Sequence, residues 1–253
     1  MANDISVTIL AKNSAATLRE CLQAVDAFEE VILLDTGSTD QTMEIARSFA
    51  NVVVHSHPFT GFGPMKNLAI DKASYDWILS VDSDEILSPE LVEEILQLQL
   101  DPGSIYSIER DNYYNRRLIR CCGWAGDQVV RLFNRRSTRF NDNLVHEFLL
   151  PKPQLQTTLL KGRLRHYTFD NASELIDKMQ HYSTLWAREH ASMKPSSPIK
   201  ALTRGLFVFF KSYILQKGIL NGYEGLLISV SNANGAFYKY IKLYEAQKSG
   251  PDL

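Results

Sequence analysis

Three acids, Asp82, Asp84 and Glu85, stand at the end of the apolar run Trp77-Ile78-Leu79-Ser80-Val81. Carboxylates gathered at the end of a buried strand repel one another unless a cation joins them. Asp82 and Asp84 are two residues apart, so on an extended backbone they project to one side, where they would share Mg²⁺ or Mn²⁺ with a diphosphate. Glu85 is better suited to capping the helix that Ser88-Pro89 opens, and an acidic turn that merely caps this helix is the bland alternative for the whole motif. A second acid, Asp35, ends the run Val31-Ile32-Leu33-Leu34 and precedes Thr36-Gly37-Ser38-Thr39-Asp40. Its carboxylate can accept a hydrogen bond from the imide N–H of a base, while the turn through Gly37 and Ser38 brings backbone donors close to a ligand. A helix N-terminus carries the same residue types, so this motif alone leaves both readings open.

The elements that must position these acids are short apolar runs alternating with helical patterns. Ile5–Leu10 is followed by a helix opened by Ser14, with Leu18, Leu22 and Val25 on one face. Val31–Leu34 precedes a helix capped near Ser38 or Thr39, Val52–Val54 precedes a segment opened by Pro64, and Trp77–Val81 comes next. Four strands alternating with helices predict an α/β fold with a mainly parallel, doubly wound sheet and a ligand crevice at the strands' C-terminal ends. Extended segments are expected around residues 105–110, 129–133 and 144–150. From about Ala172 onward the pattern is helical, interrupted by Lys194-Pro195-Ser196-Ser197-Pro198 and by Gly218 and Gly222.

Composition narrows the function classes. The 253 residues are 45% hydrophobic and 22% charged, ordinary for a globular protein with a sizeable core. Cys21, Cys121 and Cys122 form neither a disulfide framework nor a zinc-type spacing, which suits a reducing compartment. The opening residues lack a positive stretch followed by an apolar one, so a cytoplasmic location is the expectation. Residues 1–186 hold 18 basic and 25 acidic side chains, and residues 187–253 hold 9 and 4, so the body is at −7 and the tail at +5. Eight arginines between Arg110 and Arg139 meet only Asp111 and Asp127, a balance that would attract phosphorylated acceptors. The overall charge of −2 and the lack of any nucleic-acid motif argue against nucleic acid as a partner. Gly61-Phe62-Gly63 is followed by Pro64-Met65-Lys66 and lacks the third glycine of a dinucleotide fingerprint. No apolar run reaches membrane-spanning length, but Ile199–Lys211 mixes large apolar residues with spaced cations, as a helix lying in a lipid interface would. Packing against the protein's own core is the competing explanation.

The pair of motifs, strand-Asp35-Thr36-Gly37-Ser38-Thr39-Asp40 and strand-Asp82-Ser83-Asp84, resembles the family-2 glycosyltransferases of the GT-A fold. Thr8-Ile9-Leu10-Ala11-Lys12-Asn13-Ser14 occupies the place of that family's first nucleotide-contacting loop, and Lys66-Asn67 precedes the second motif at the family's usual place. The resemblance implies donor contacts from Ala11, Asn13, Asp35, Gly37, Ser38, Lys66, Asp82 and Ser83. Residues Gly126–Arg136 and Val145-His146-Glu147 are similar to the subgroup containing lipopolysaccharide-core β-1,4-glucosyltransferases. That subgroup implies Asp82, Asp84 and His146 as metal ligands, and Glu147 as catalytic base with Asp127 as its competitor. It further implies a UDP-sugar donor, a glycolipid or lipopolysaccharide-core acceptor, inversion of configuration and peripheral attachment to the membrane. The expected organisation is a catalytic domain over residues 1–170, with a nucleotide half (1–100) and an acceptor half (101–170), and a helical, membrane-associating extension over 171–253. His166 and Lys178 are expected on the acceptor side. The alternative from another class is a non-catalytic, membrane-docked sugar-nucleotide binder, which donor turnover would exclude.

Overall fold

The computed structural model describes residues 4–144 and 147–249. The chain divides into two compact units, one of residues 1–111 with 126–167 and the other of residues 112–125 with 168–253.

In the first unit the strands are β1 (Ile5–Ala11), β2 (Glu30–Asp35), β3 (Val52–Ser56), β4 (Trp77–Asp82), β5 (Glu85–Leu87), β6 (Ser104–Tyr114), β8 (Asp127–Asn134) and β9 (Gln156–Phe169). The last residues of β6 and β9 belong to the second unit, as does the short β7 (Arg117–Leu118). The sheet order is β3-β2-β1-β4-β8-β6-β9-β5. The first four strands are mutually parallel, in register from Val7 opposite Val31 and Leu79. Beyond β4 the pairing turns antiparallel, with Leu79 opposite Leu132 and Ile108 opposite Val129. β1, β2 and β4 are buried almost without a break, as strands covered on both faces must be. β3 lies at the edge and its burial is intermittent. The covering helices are α1 (Ala15–Ala24), α2 (Thr42–Arg47), α3 (Phe62–Lys72) and α4 (Pro89–Gln97).

Several boundaries follow simple chemistry. Ser88 caps α4 by accepting from the Leu91 N–H at 3.2 Å, with Pro89 at the first helical position. α2 begins at Thr42 with Gln41 as its cap, two or three residues beyond the expected Thr39 or Ser38, both of which are engaged with Asn13. Of the extended segment expected over 144–150, the described residues contain only the isolated bridge Phe140–Leu149. β9 was not expected at all, yet its burial alternates strictly through Leu160, Gly162, Leu164 and His166. Gly162 permits the close approach of α4: a Cβ there would lie 2.4 Å from Leu91 Cα.

The second unit holds a two-residue hairpin joining the end of β6 to β7, with Asn115 and Arg116 at positive φ as a type I′ turn requires. Three helices follow, α5 (Ala172–His190), α6 (Pro198–Phe210) and α7 (Gly222–Ser249). Asn171 and Ser197 cap α5 and α6. A π-helical turn, Lys211–Leu215, and a 3₁₀ turn, Gly218–Leu220, join α6 to α7. The core of this unit gathers Leu175, Ile228, Cys121 and Cys122 in one cluster and Trp186, Ala187 and Leu243 in another.

Candidate active site

Parallel strands end together, so the loops after β1, β2 and β4 meet at one rim. The Thr36 N–H donates to Ala11 O at 3.0 Å, the Asn13 N–H to Ser38 Oγ at 2.9 Å, and the Thr39 N–H to Asn13 Oδ1 at 2.8 Å. Asn13 adopts φ 50° to make this exchange. Asp35 is buried and accepts from the N–H groups of Gly37 and Ser38 at 3.0 and 3.2 Å. Its carboxylate thus holds the turn, and its remaining lone pairs are available to a ligand. Ser14 and Ser83 share a hydrogen bond of 2.8 Å, which joins the first loop to the acidic motif. Ala11, Asn13, Asp35, Gly37, Ser38 and Ser83 therefore line one connected set of loops.

The acids do not lie along one extended backbone. β4 ends at Asp82, Ser83 and Asp84 form a turn, and Glu85 opens β5. Asp82 faces Lys66 Nζ at 2.9 Å and also pairs with Arg131 from β8. Asp84 faces His166 Nε2 from β9 at 3.4 Å. Glu85 is completely buried and accepts from the Asp82 N–H at 3.1 Å, from Arg110 at 3.1 Å and from Arg131. It is an internal counter-ion, and the cap of α4, the alternative weighed for the acidic turn, is Ser88. The repulsion predicted among these carboxylates is relieved by the protein's own cations.

Lys66 is the centre of the group. Its ammonium, 5% exposed, lies 2.9 Å from both Asp82 Oδ1 and Glu147 Oε1 and 5.3 Å from the centroid of the Phe140 ring. Asn67 exchanges two hydrogen bonds with the Phe140 backbone, and the N–H groups of Phe62 and Gly63 donate to the carbonyls of Leu144 and Asn143. These ties to α3 are what deliver Glu147 to Lys66. Burial disfavours charge on Lys66, but Asp82 and Glu147 outweigh it and hold the ammonium above its ordinary value. Burial likewise opposes charge on Asp82, yet Arg131 and Lys66 hold its carboxyl well below the usual range. Arg131 is buried too, and its Nε has no hydrogen-bond partner among the described residues.

Asp127 stands apart from Glu147 in its partners. Arg110, opposite it in the β6–β8 register, binds it through Nε at 3.0 Å and Nη2 at 2.7 Å. Arg131, four residues further along β8, turns instead to Asp82 and Glu85. Seven of the eight arginines between Arg110 and Arg139 pair with acids, several of them distant in sequence, such as Asp76, Asp170 and Glu224. The segment is therefore not the free cationic surface that its local composition implied.

His146 lies outside the described residues. Among those described, no group of three or more His, Cys, Asp or Glu side chains is arranged to hold a metal ion. The histidine placed beside the acidic motif is His166, opposite Glu85 in the β5–β9 register and buried. The signal that marks it is the alternation Leu160-Lys161-Gly162-Arg163-Leu164-Arg165-His166, which puts His166 on the inward face of a strand.

A crevice at the carboxyl ends of a parallel sheet, floored by acids and rimmed by hydroxyl-bearing loops, is what a nucleotide-using transferase requires. The sequence model of glycosyl transferase family 2 matches residues 6–149, and the chain belongs to that family. An uncharacterised glycosyltransferase of Rickettsia prowazekii is 27% identical over 259 residues, covering 94% of this chain and 86% of the relative. The lipopolysaccharide core biosynthesis glycosyltransferase LpsC of Rhizobium meliloti is 24% identical over 264 residues, covering 98% and 96%. Among solved structures, the 1–349 fragment of S. aureus TarS in complex with UDP is 15% identical, covers 97% of this chain and 91% of its own, and has a TM-score of 0.46. The α/β architecture with a helical C-terminal region is the one the GT-A resemblance implied.

Proposed function

We propose that this glycosyltransferase is an inverting, metal-dependent hexosyltransferase that moves glucose from UDP-glucose to a lipid-linked or lipopolysaccharide inner-core acceptor at a membrane surface. The observation that carries the reading is Lys66, which bridges Asp82 and Glu147 beside the Asp84–His166 pair. One buried cation thereby joins an acid of the Asp-Ser-Asp motif to the candidate base, which supports the reading. The name of LpsC supports the choice of acceptor class.

Two neighbouring carboxylates, Asp82 and Asp84, offer oxygen donors to a divalent cation. Asp84 and His166 present oxygen and imidazole donors within 3.4 Å of each other, and Asp82 engages one protein cation at each oxygen, leaving lone pairs on both. Asp82 and Asp84 would share the ion with the donor's diphosphate, whose negative charge it would offset when bound, and His166 would position Asp84. Asp35, Gly37, Ser38, Ala11 and Asn13 receive the nucleoside, and the guanidinium of Arg131 and the ammonium of Lys66 lie on the acidic side of the site. Glu147 takes the proton from the acceptor hydroxyl as that oxygen bonds to the anomeric carbon and the bond to the diphosphate breaks on the opposite face. Lys66 holds Glu147 in place for this. Asp127, gripped twice by Arg110, has the weaker claim to the role.

The test is a panel of sugar nucleotides with and without Mn²⁺ or Mg²⁺, read as nucleoside diphosphate release and as donor binding by calorimetry. Metal-dependent cleavage of UDP-glucose, with Glu147→Gln abolishing transfer but sparing donor binding, is the expected result. Normal transfer by Glu147→Gln would overturn the base assignment, and binding of no donor would overturn the function.

A further inference from the structure

We infer that α6 and the two turns after it form a docking surface for an anionic lipid bilayer. The α6 helix and its π-helical continuation bury one face through Ala201, Gly205 and Ser212. The opposite face ought then to be polar. It is instead a stripe of Ile199, Leu202, Leu206 and Phe210 at spacings of three and four, with Phe207 and Ile214 beside it. All are exposed, Ile199 at 76% and Leu206 at 63%. The stripe continues through Leu215, Ile219 and Leu220, the last 76% exposed. It is also continuous with a groove of about 260 Å³ between α6 and α7, into which Leu202, Leu206 and Val230 project and whose floor is kept open by Gly205 and Ala233.

Charge selects the occupant. Arg204 and Lys211, both exposed, lie along the flank of the apolar stripe, and exposed Lys217 lies between the two turns, whereas Lys200 is turned to the Pro195 carbonyl at 2.7 Å. From His190 to Tyr244 there are seven cations and one acid, Glu224, which is 8% exposed and paired with Arg117 at 2.7 Å. A second copy of this chain seated face to face would set like charges against like across a two-fold axis. An anionic bilayer instead receives the apolar stripe among its acyl chains and the flanking cations among its head groups. No helix among the described residues is long and apolar enough to cross a membrane, so the helix lies on the surface. Such docking supplies the lipid partner of the transferase proposed above and rests on that reading for its purpose, although vesicle binding tests it without turnover.

The experiment is sedimentation of the full chain with vesicles of equal parts phosphatidylglycerol and phosphatidylcholine, and with phosphatidylcholine alone. Binding is expected to the anionic vesicles, weakening as salt is added. The double variant Leu206→Glu, Phe210→Glu should lower the partition coefficient at least about tenfold, and Arg204→Gln or Lys211→Gln about fivefold each. Thermal melts of each variant establish that it is folded, and nucleoside diphosphate release in solution should match the parent protein. Failure of the parent protein to bind anionic vesicles, unchanged binding by the folded variants, or a dimer in solution that Leu206→Glu dissociates would each overturn the inference. Vesicle binding without cleavage of any donor would sustain the docking surface and remove the proposed activity.

Discussion

Replacing Lys66 with Met tests whether one buried ammonium organises the site. The methionine fills similar volume, but Asp82 loses a cation at 2.9 Å and Glu147 loses the one that it pairs with among the described residues. Removing one partner of a fully buried pair costs about 3–5 kcal/mol. Asp82 is 32% exposed and keeps Arg131, and Glu147 is 17% exposed, so water recovers part of this and about 2–4 kcal/mol is expected. For a chain of this length that corresponds to a fall in Tm on the order of 10 °C. The pH dependence has a definite sign. Lys66 is held above its ordinary value, so its contribution is complete below about pH 10 and fades only as pH rises through the folded value. Asp82 is held well below its ordinary value, so its contribution is complete above about pH 4–5 and fades as pH falls toward the folded value. The deficit of the variant should therefore be broad and flat from about pH 5 to 9 and shrink in acid. Urea unfolding across that range, with donor cleavage measured alongside, provides the assay. A variant that unfolds at the same urea midpoint as its parent and keeps its turnover would refute the central role given to Lys66.

His166→Ala should weaken Mn²⁺-supported donor binding in calorimetry far more than metal-free binding; an equal loss in both would mean that His166 serves packing alone. Gly162→Ala should cost about 3 kcal/mol through collision with the Leu91 backbone, whereas Gly126→Ala, with open space around it but φ +70°, should cost only about 1 kcal/mol of backbone strain; matching urea midpoints for the two would contradict the close α4–β9 approach. Native Cys21 and Cys121 should resist iodoacetamide at pH 8 and react on unfolding, because burial, with nearby carboxylates, raises the Cys21 thiol and burial, with Cys122, pushes Cys121 up to about 12. Rapid labelling of the folded protein, read by mass spectrometry, would count against those environments.

Much of the first hundred residues was legible because their signals are local. β1, β2, β3 and β4 announce themselves as short apolar runs, and Asp35 and Asp82 as the acids ending two of them, since a buried parallel strand must be apolar to its end and expose its chemistry just beyond. The helices after residue 171 were legible for the same reason, in caps such as Ser197-Pro198 and breaks such as Gly222. What local signals cannot supply is pairing at long range. Nothing near Asp82 in sequence says that Lys66 and Arg131 neutralise it, or that Arg110 rather than Arg131 holds Asp127. Those choices depend on β8 running antiparallel to β4 and β6, a register set by the packing of whole strands. The same holds for His166, whose strand alternates clearly but whose place beside Asp84 follows from β9 pairing with β5. Glu147 reaches Lys66 only because Asn67 and the start of α3 bind the backbone from Phe140 to Leu144. Residue types and their order determined that this chain carries the paired motifs of a family-2 glycosyltransferase; tertiary pairing decided which charges meet, because a carboxylate takes the nearest cation in space, whatever its distance along the chain.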